Sequence, residues 1–154
     1  LIKIHFGSAP AAVLENGVFH DVFFGDEDTQ VSQTLSAGEW GLVAANGSIL
    51  AASGVAVDIN GTAALMCYGA LGSLNASAVV LKDARSTSMT IGATGSIVAG
   101  ATNLAAISGS FADQFALHLS GLVSGGQGLS LAATTPTSSI NISNGGIKFG
   151  QVFF

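Results

Sequence analysis

The stretch Val43-Ala-Ala-Asn-Gly-Ser-Ile49, followed by Val55-Ala-Val-Asp-Ile59, decides the fold. It places an aliphatic residue two positions after Gly47, another four before it (Val43) and another twelve after it (Ile59). The spacing recurs at Gly69-Ala-Leu71, with Leu65 and Leu81, and at Gly95-Ser-Ile97, with Ile91 and Ile107. Gly121-Leu-Val123 follows with Leu117, and Gly145-Gly-Ile147 closes the series, at intervals of 22, 26, 26 and 24 residues. The fourth unit slips: Ala133 stands at the distal offset, just after Leu129 and Leu131, while the fifth carries Ile140 and Ile142 ahead of its turn. Gly41-Leu-Val43, Gly72-Ser-Leu74 and Gly150-Gln-Val152 share the three-residue pattern, so the flanking aliphatics carry the repeat.

Each unit reads as strand, glycine-containing turn, strand, turn, strand. Val55 to Ile59 alternates as a strand with one buried face does, with Asp58 pointing outward. A period of about two dozen residues with short strands and glycine corners describes one coil of a parallel β-solenoid. A single coil cannot bury its own apolar face. Stacked coils do so, with equivalent strands about 4.8 Å apart. The stacking predicts one interior column of Ile49, Leu71, Ile97, Val123 and Ile147. Asn46-Gly47, Asn60-Gly61 and Asn144-Gly145 suit corners that need positive φ or close backbone approach. The expected class is therefore all-β, a parallel β-solenoid of about five coils with an N-terminal β-hairpin cap. An antiparallel β-sandwich is the alternative, because it too uses short strands with frequent turns.

Composition agrees. Of 154 residues, 49% are hydrophobic and only 8% charged, which excludes intrinsic disorder. Glycine supplies 21 residues without a Gly-X-Y period, which excludes collagen. One cysteine, Cys67, excludes a disulfide framework. Four Lys+Arg against nine Asp+Glu argue against nucleic-acid binding. Gly, Ser, Thr or Asn interrupts every apolar run, so no membrane-spanning helix is expected. Residues 1–40 differ from the rest, holding six of the nine acids and two of the three histidines. There, Val13 to Phe19 is a hairpin signal around Asn16-Gly17. The division expected is a capping segment over 1–40 and coils over 41–154. Phe19, Phe23, Phe24 and Trp40 would plug the open end of the stack. The strand-like, uncapped run Ile147 to Phe154 suggests an edge that continues beyond the chain or meets another subunit.

Ile91-Gly-Ala-Thr-Gly-Ser-Ile97 and Ile140-Asn-Ile-Ser-Asn-Gly-Gly-Ile147 resemble the coils of secreted bacterial β-helix proteins. Passenger and adhesin regions, and repeat regions linked to RTX (hemolysin-type) proteins, are of this kind. The resemblance covers roughly residues 40–150. It implies an extracellular or cell-surface setting and a stalk, adhesive or scaffold role. The calcium nonapeptide GGxGxDxUx of RTX repeats is closest at Gly125-Gly-Gln-Gly-Leu-Ser-Leu131, where Ser130 replaces the metal-binding Asp. No RTX-type calcium site is expected in this chain.

Other site candidates are few. Asp26, Glu27 and Asp28 form the densest acidic cluster, and an oxygen-rich loop suits calcium; no other cofactor is indicated. His5, His20 and His118 have no metal-ligand spacing, and His118 reads as an outward strand residue. Cys67 aligns with Ala45, Ala93 and Leu119 as a small interior hydrophobe. Neither G-x-S-x-G nor a phosphate loop occurs. The solenoid part holds three acids, Asp58, Asp83 and Asp113, and its one charged island is Lys82-Asp83-Ala-Arg85. Four Asn-x-Ser/Thr sequons, at Asn46, Asn60, Asn75 and Asn141, would accept glycans in a eukaryotic secreted protein.

The expectation is a non-enzymatic structural or adhesive module: stalk, adhesin part or self-assembling fibre subunit. Its partners would be further coils, another copy through the C-terminal strand edge, or surface glycans. The alternative is a carbohydrate-binding or carbohydrate-active β-helix, for which loss of activity on changing Asp83 and Arg85 would be diagnostic.

Overall fold

The computed structural model describes residues 32–101 and 103–144, together with the strand backbones Leu14–Glu15, Val18–Phe19, Asp28–Thr29 and Val152–Phe153. Leu14–Glu15 pairs antiparallel with Val18–Phe19 in the register Leu14↔Phe19, as the Asn16-Gly17 signal predicts. Every other strand pairing in the described residues is parallel. The chain is a parallel β-solenoid of about five turns, and the sandwich alternative falls. No helix among the described residues is long and apolar enough to cross a membrane.

Each turn contributes to three ladders around one core. Face I holds Gln33–Leu35, Val57–Asn60, the first parts of Val79–Ile91 and Ile107–Leu119, then Leu129–Ala133 and Val152–Phe153. Face II holds Trp40–Val43, Ala63–Cys67, the second parts of the same two long strands, and Ser139–Asn144. Face III is five-stranded: Asp28–Thr29, Ser48–Ala51, Ala70–Ser73, Ser96–Ala99 and Leu122–Ser124. The parallel ladder thus already includes residues before Trp40.

The predicted interior column exists. Ile49 pairs with Leu71, Leu71 with Ile97, and Ile97 with Val123, all essentially fully buried. Burying each such side chain contributes about 1.5–3 kcal/mol. Ile147 lies outside the described residues. The column upstream of the glycine is different from the one expected. Val43 pairs with Cys67, Cys67 with Ile91, and Ile91 with Leu119, while Leu65 pairs with Met89 and Met89 with Leu117. Cys67 therefore stacks on Val43 and Ile91, not on Ala45 and Ala93. Likewise Ile59 meets Leu81, but Ile107 meets Val79.

For the upstream columns the cause is an alternation of corners between faces II and III; the Ile107 shift arises between faces III and I, where Ile97 to Ile107 is two residues longer than Leu71 to Val79. The corners Val43 to Ile49 and Ile91 to Ile97 are each two residues longer than Cys67 to Leu71 and Leu119 to Val123. Long corners close on themselves, Gly47 N–H donating to Ala44 O at 2.8 Å and Gly95 N–H to Gly92 O at 2.8 Å. The short corner of the next turn lies against these carbonyls. Ala70 N–H donates to Gly47 O at 2.9 Å, and Leu122 N–H to Gly95 O at 3.0 Å. At the corner between faces III and I, Ala56, Ala78 and Ala106 are fully buried. Among the three Asn-Gly corners, positive φ is found at Gly61 (+75°), whereas Gly47 is placed by its turn hydrogen bond. Phe111 and Phe115 are both fully buried in the core, with ring centroids 6.1 Å apart.

Candidate functional site

Strand alternation sends every second side chain of face II outward. One outward column is Trp40, Ala64, Ser88, Ala116 and Asn141, joined by consecutive ladder pairs. Trp40 therefore stands above three small side chains. The size step leaves a hollow of about 450 Å³. Its sides are formed by Glu39, Thr62, Ser86 and Gln114, with Ser86 and Gln114 paired across the ladder. Glu39 is anchored, its Oε2 accepting from Ser36 N–H at 2.7 Å. Thr87 borders the hollow, but alternation turns its side chain into the core between Ala63 and Phe115, where it is 2% exposed and its hydroxyl has no hydrogen-bond partner.

A second hollow, of about 300 Å³, lies across the corner between faces I and II, lined by Asp83, Arg85, Ser110, Asp113, Thr134 and Thr135. The two hollows abut: Arg85 lines one and Ser86 the other, and Asp113 and Gln114 divide the same way. Arg85 Nε donates to Asp113 Oδ2 at 3.1 Å, and the carboxylate holds the guanidinium more firmly protonated than usual. Both side chains are open to solvent, so the pair orients charge more than it stabilises. Thr134 and Thr135 hydroxyls donate to Phe111 O and Ala112 O of the preceding turn, which fixes the far wall.

The charged island of the sequence is split by the fold. Lys82 Nζ reaches Asp58 Oδ1 at 2.9 Å on face I, while Arg85 turns to Asp113. His118 is exposed on face II, its Nδ1 2.9 Å from Ser143 Oγ. Cys67 is buried, its thiol donating to Gly69 O at 3.3 Å; burial pushes its pKa up to about 12, so it is no nucleophile. Ser130 lies half-exposed on face I between Ser108 and Phe153. Trp40 sits on the outer surface of face II rather than in the end of the stack, because Gly41 and Val43 take the inward positions. Asp26, Glu27, His5, His20, Phe23 and Phe24 lie outside the described residues. Of Asp28 and Phe19 only the strand backbone is described, Asp28 pairing with Ser48. Among the described residues no three His, Cys, Asp or Glu side chains gather closely enough to hold a metal ion.

The hollow beneath Trp40 was not anticipated. Its signal, a tryptophan followed at successive turns by Ala, Ser and Ala, becomes readable only once the register is known. Compared with known proteins, the chain matches no family model, no curated protein and no solved structure.

Proposed function

We propose that the chain is a structural, adhesive solenoid module of the cell exterior that associates through its ladder edges. The observation that supports this best is the strand Ser139–Asn144. Among the described residues it pairs only with Gln114–Leu119 of the turn before, and its inward Ile140 and Ile142 are only partly buried. A parallel strand from another copy, or from further coils, would continue all three requirements of the ladder: hydrogen bonds, register and cover for the isoleucines. The large apolar residues exposed in the described part, Leu50, Tyr68, Leu74 and Leu122, all lie on or beside face III, which adds a one-sided sticky surface.

Light scattering and electron microscopy test the reading. Concentration-dependent end-to-end assembly that Ile142→Lys abolishes supports it. A strictly monomeric chain at all concentrations overturns it.

A second reading, glycan binding, is favoured by the hollow beneath Trp40. A panel of surface polysaccharides checks it, and depolymerisation lost on changing Asp83 and Arg85 to Ala would make the protein carbohydrate-active instead.

A further inference from the structure

We propose that the hollow beneath Trp40 binds an uncharged oligosaccharide lying along the solenoid axis. The proposal rests on the glycan-binding reading and gives it a site.

The shape comes from the ladder. The hollow crosses four turns, from Trp40 through Ala64 and Ser88 to Ala116, a run of roughly 14 Å at the usual strand spacing. That suits an extended ligand following the stack, and the small side chains form its floor.

The chemistry is that of hydroxyl recognition. Thr62, Ser86, Ser88 and Gln114 each donate and accept hydrogen bonds and carry no charge, and the one charged group of the lining, Glu39, already accepts from Ser36 N–H. A sugar hydroxyl is also both donor and acceptor, so each can be matched without stranding a charge. The half-exposed indole of Trp40 offers an apolar, rigid surface to the C–H face of a pyranose ring. Lys and Arg are absent from the lining, which gives no basis for phosphate or nucleic-acid binding. The nearest cation, Arg85, is engaged by Asp113 in the adjoining hollow.

Trp40 is the single tryptophan of the chain, so its emission reports this site directly. The test titrates a panel of neutral hexasaccharides (cello-, xylo-, manno-, malto- and chitohexaose) and a panel of acidic ones (oligogalacturonate and oligomannuronate) into the wild-type chain, read by tryptophan fluorescence and calorimetry. At least one neutral member is expected to bind and to shift the emission. Calorimetry should then show a loss of about tenfold or more in Trp40→Ala, the scale of a truncated aromatic anchor. Ser88→Phe, which fills the floor from an exposed position, should abolish binding and leave the melting temperature unchanged.

Binding that survives Trp40→Ala and Ser88→Phe overturns the site but leaves the glycan-binding reading standing. Binding restricted to acidic glycans and lost in Arg85→Ala moves the ligand to the adjoining hollow and also overturns this proposal. No binding to any member of either panel overturns both the site and the reading.

Discussion

Asp83 stands one turn on from Gly61 and adopts the same left-handed backbone, with φ of +50° against +75°. The two directly follow the ladder partners Lys82 and Asn60, and Arg85 N–H donates to Gly61 O at 3.3 Å. At these two turns the corner between faces I and II takes the left-handed conformation, with glycine in one and aspartate in the other. For an L-residue that conformation costs roughly 1–2 kcal/mol, with Asp among the more tolerant side chains. Asp83→Gly should therefore be neutral or gain about 0.5 kcal/mol, the relief being partly offset by the greater unfolded-state freedom of glycine. Asp83→Val should lose about 1–3 kcal/mol. Denaturant melts of the two variants check this; equal stability of both would mean that the corner imposes no strain.

At Gly69 the constraint is space. A Cβ there would run into the carbonyl oxygens of Ala44 and Gly47, and one at Gly121 into those of Gly92 and Gly95. These are backbone atoms already fixed by turn and ladder hydrogen bonds, so they cannot give way. Gly69→Ala and Gly121→Ala should each cost roughly 2–3 kcal/mol. A thermal melt unchanged by either substitution would contradict the alternating long and short corners.

Thr87→Val removes a buried hydroxyl without a partner and keeps its shape. The stability of the ligand-free chain should rise by about 1 kcal/mol. A fall would show that the hydroxyl is satisfied in the free protein.

Cys67 makes stability pH-dependent at the alkaline end. Burial raises its pKa from the ordinary value of 9.0 to about 12. Above about pH 9 the unfolded chain loses the thiol proton while the folded chain keeps it, so unfolding is favoured increasingly as pH rises toward 12. The contribution is fully present below pH 9.0 and declines above it. Cys67→Ala should remove this part of the alkaline decline, seen as a stability difference from wild type that narrows or reverses with rising pH. Alkylation of Cys67 in the native protein should proceed no faster than global unfolding. Rapid labelling at neutral pH would contradict its burial.

Much of the architecture was legible because stacking repeats a chemical demand at each turn. The anchor residues Ile49, Leu71, Ile97 and Val123 were aligned correctly by their glycines. The upstream alignment failed by two residues at alternate turns, since the short corners at Gly69 and Gly121 omit two residues that the long corners keep. The error spared Leu65 and Cys67 but not Ala45 and Ala93, which it put in the interior and the structure leaves exposed in the long corners. A slip of two is one full strand period, so Leu65 and Cys67 are both interior whichever is counted. The role of Trp40 was misread for a different cause: an aromatic near a chain end looks like a plug until alternation with Gly41 and Val43 shows that it points outward.

Sequence alone pointed to a parallel solenoid, to the aliphatic anchors of its core, and to Cys67 as a packing residue. Those properties depend on composition and on a local period, and both are written along the chain. Only the tertiary structure decided which residues are neighbours across turns: Trp40 with Ala64, Arg85 with Asp113, Thr87 with Phe115. Such pairs depend on register, and register is set by corner lengths that hydrophobic spacing does not reveal. The hollow beneath Trp40 exists because of three small residues contributed by three different turns, so it has no counterpart in any contiguous stretch of sequence.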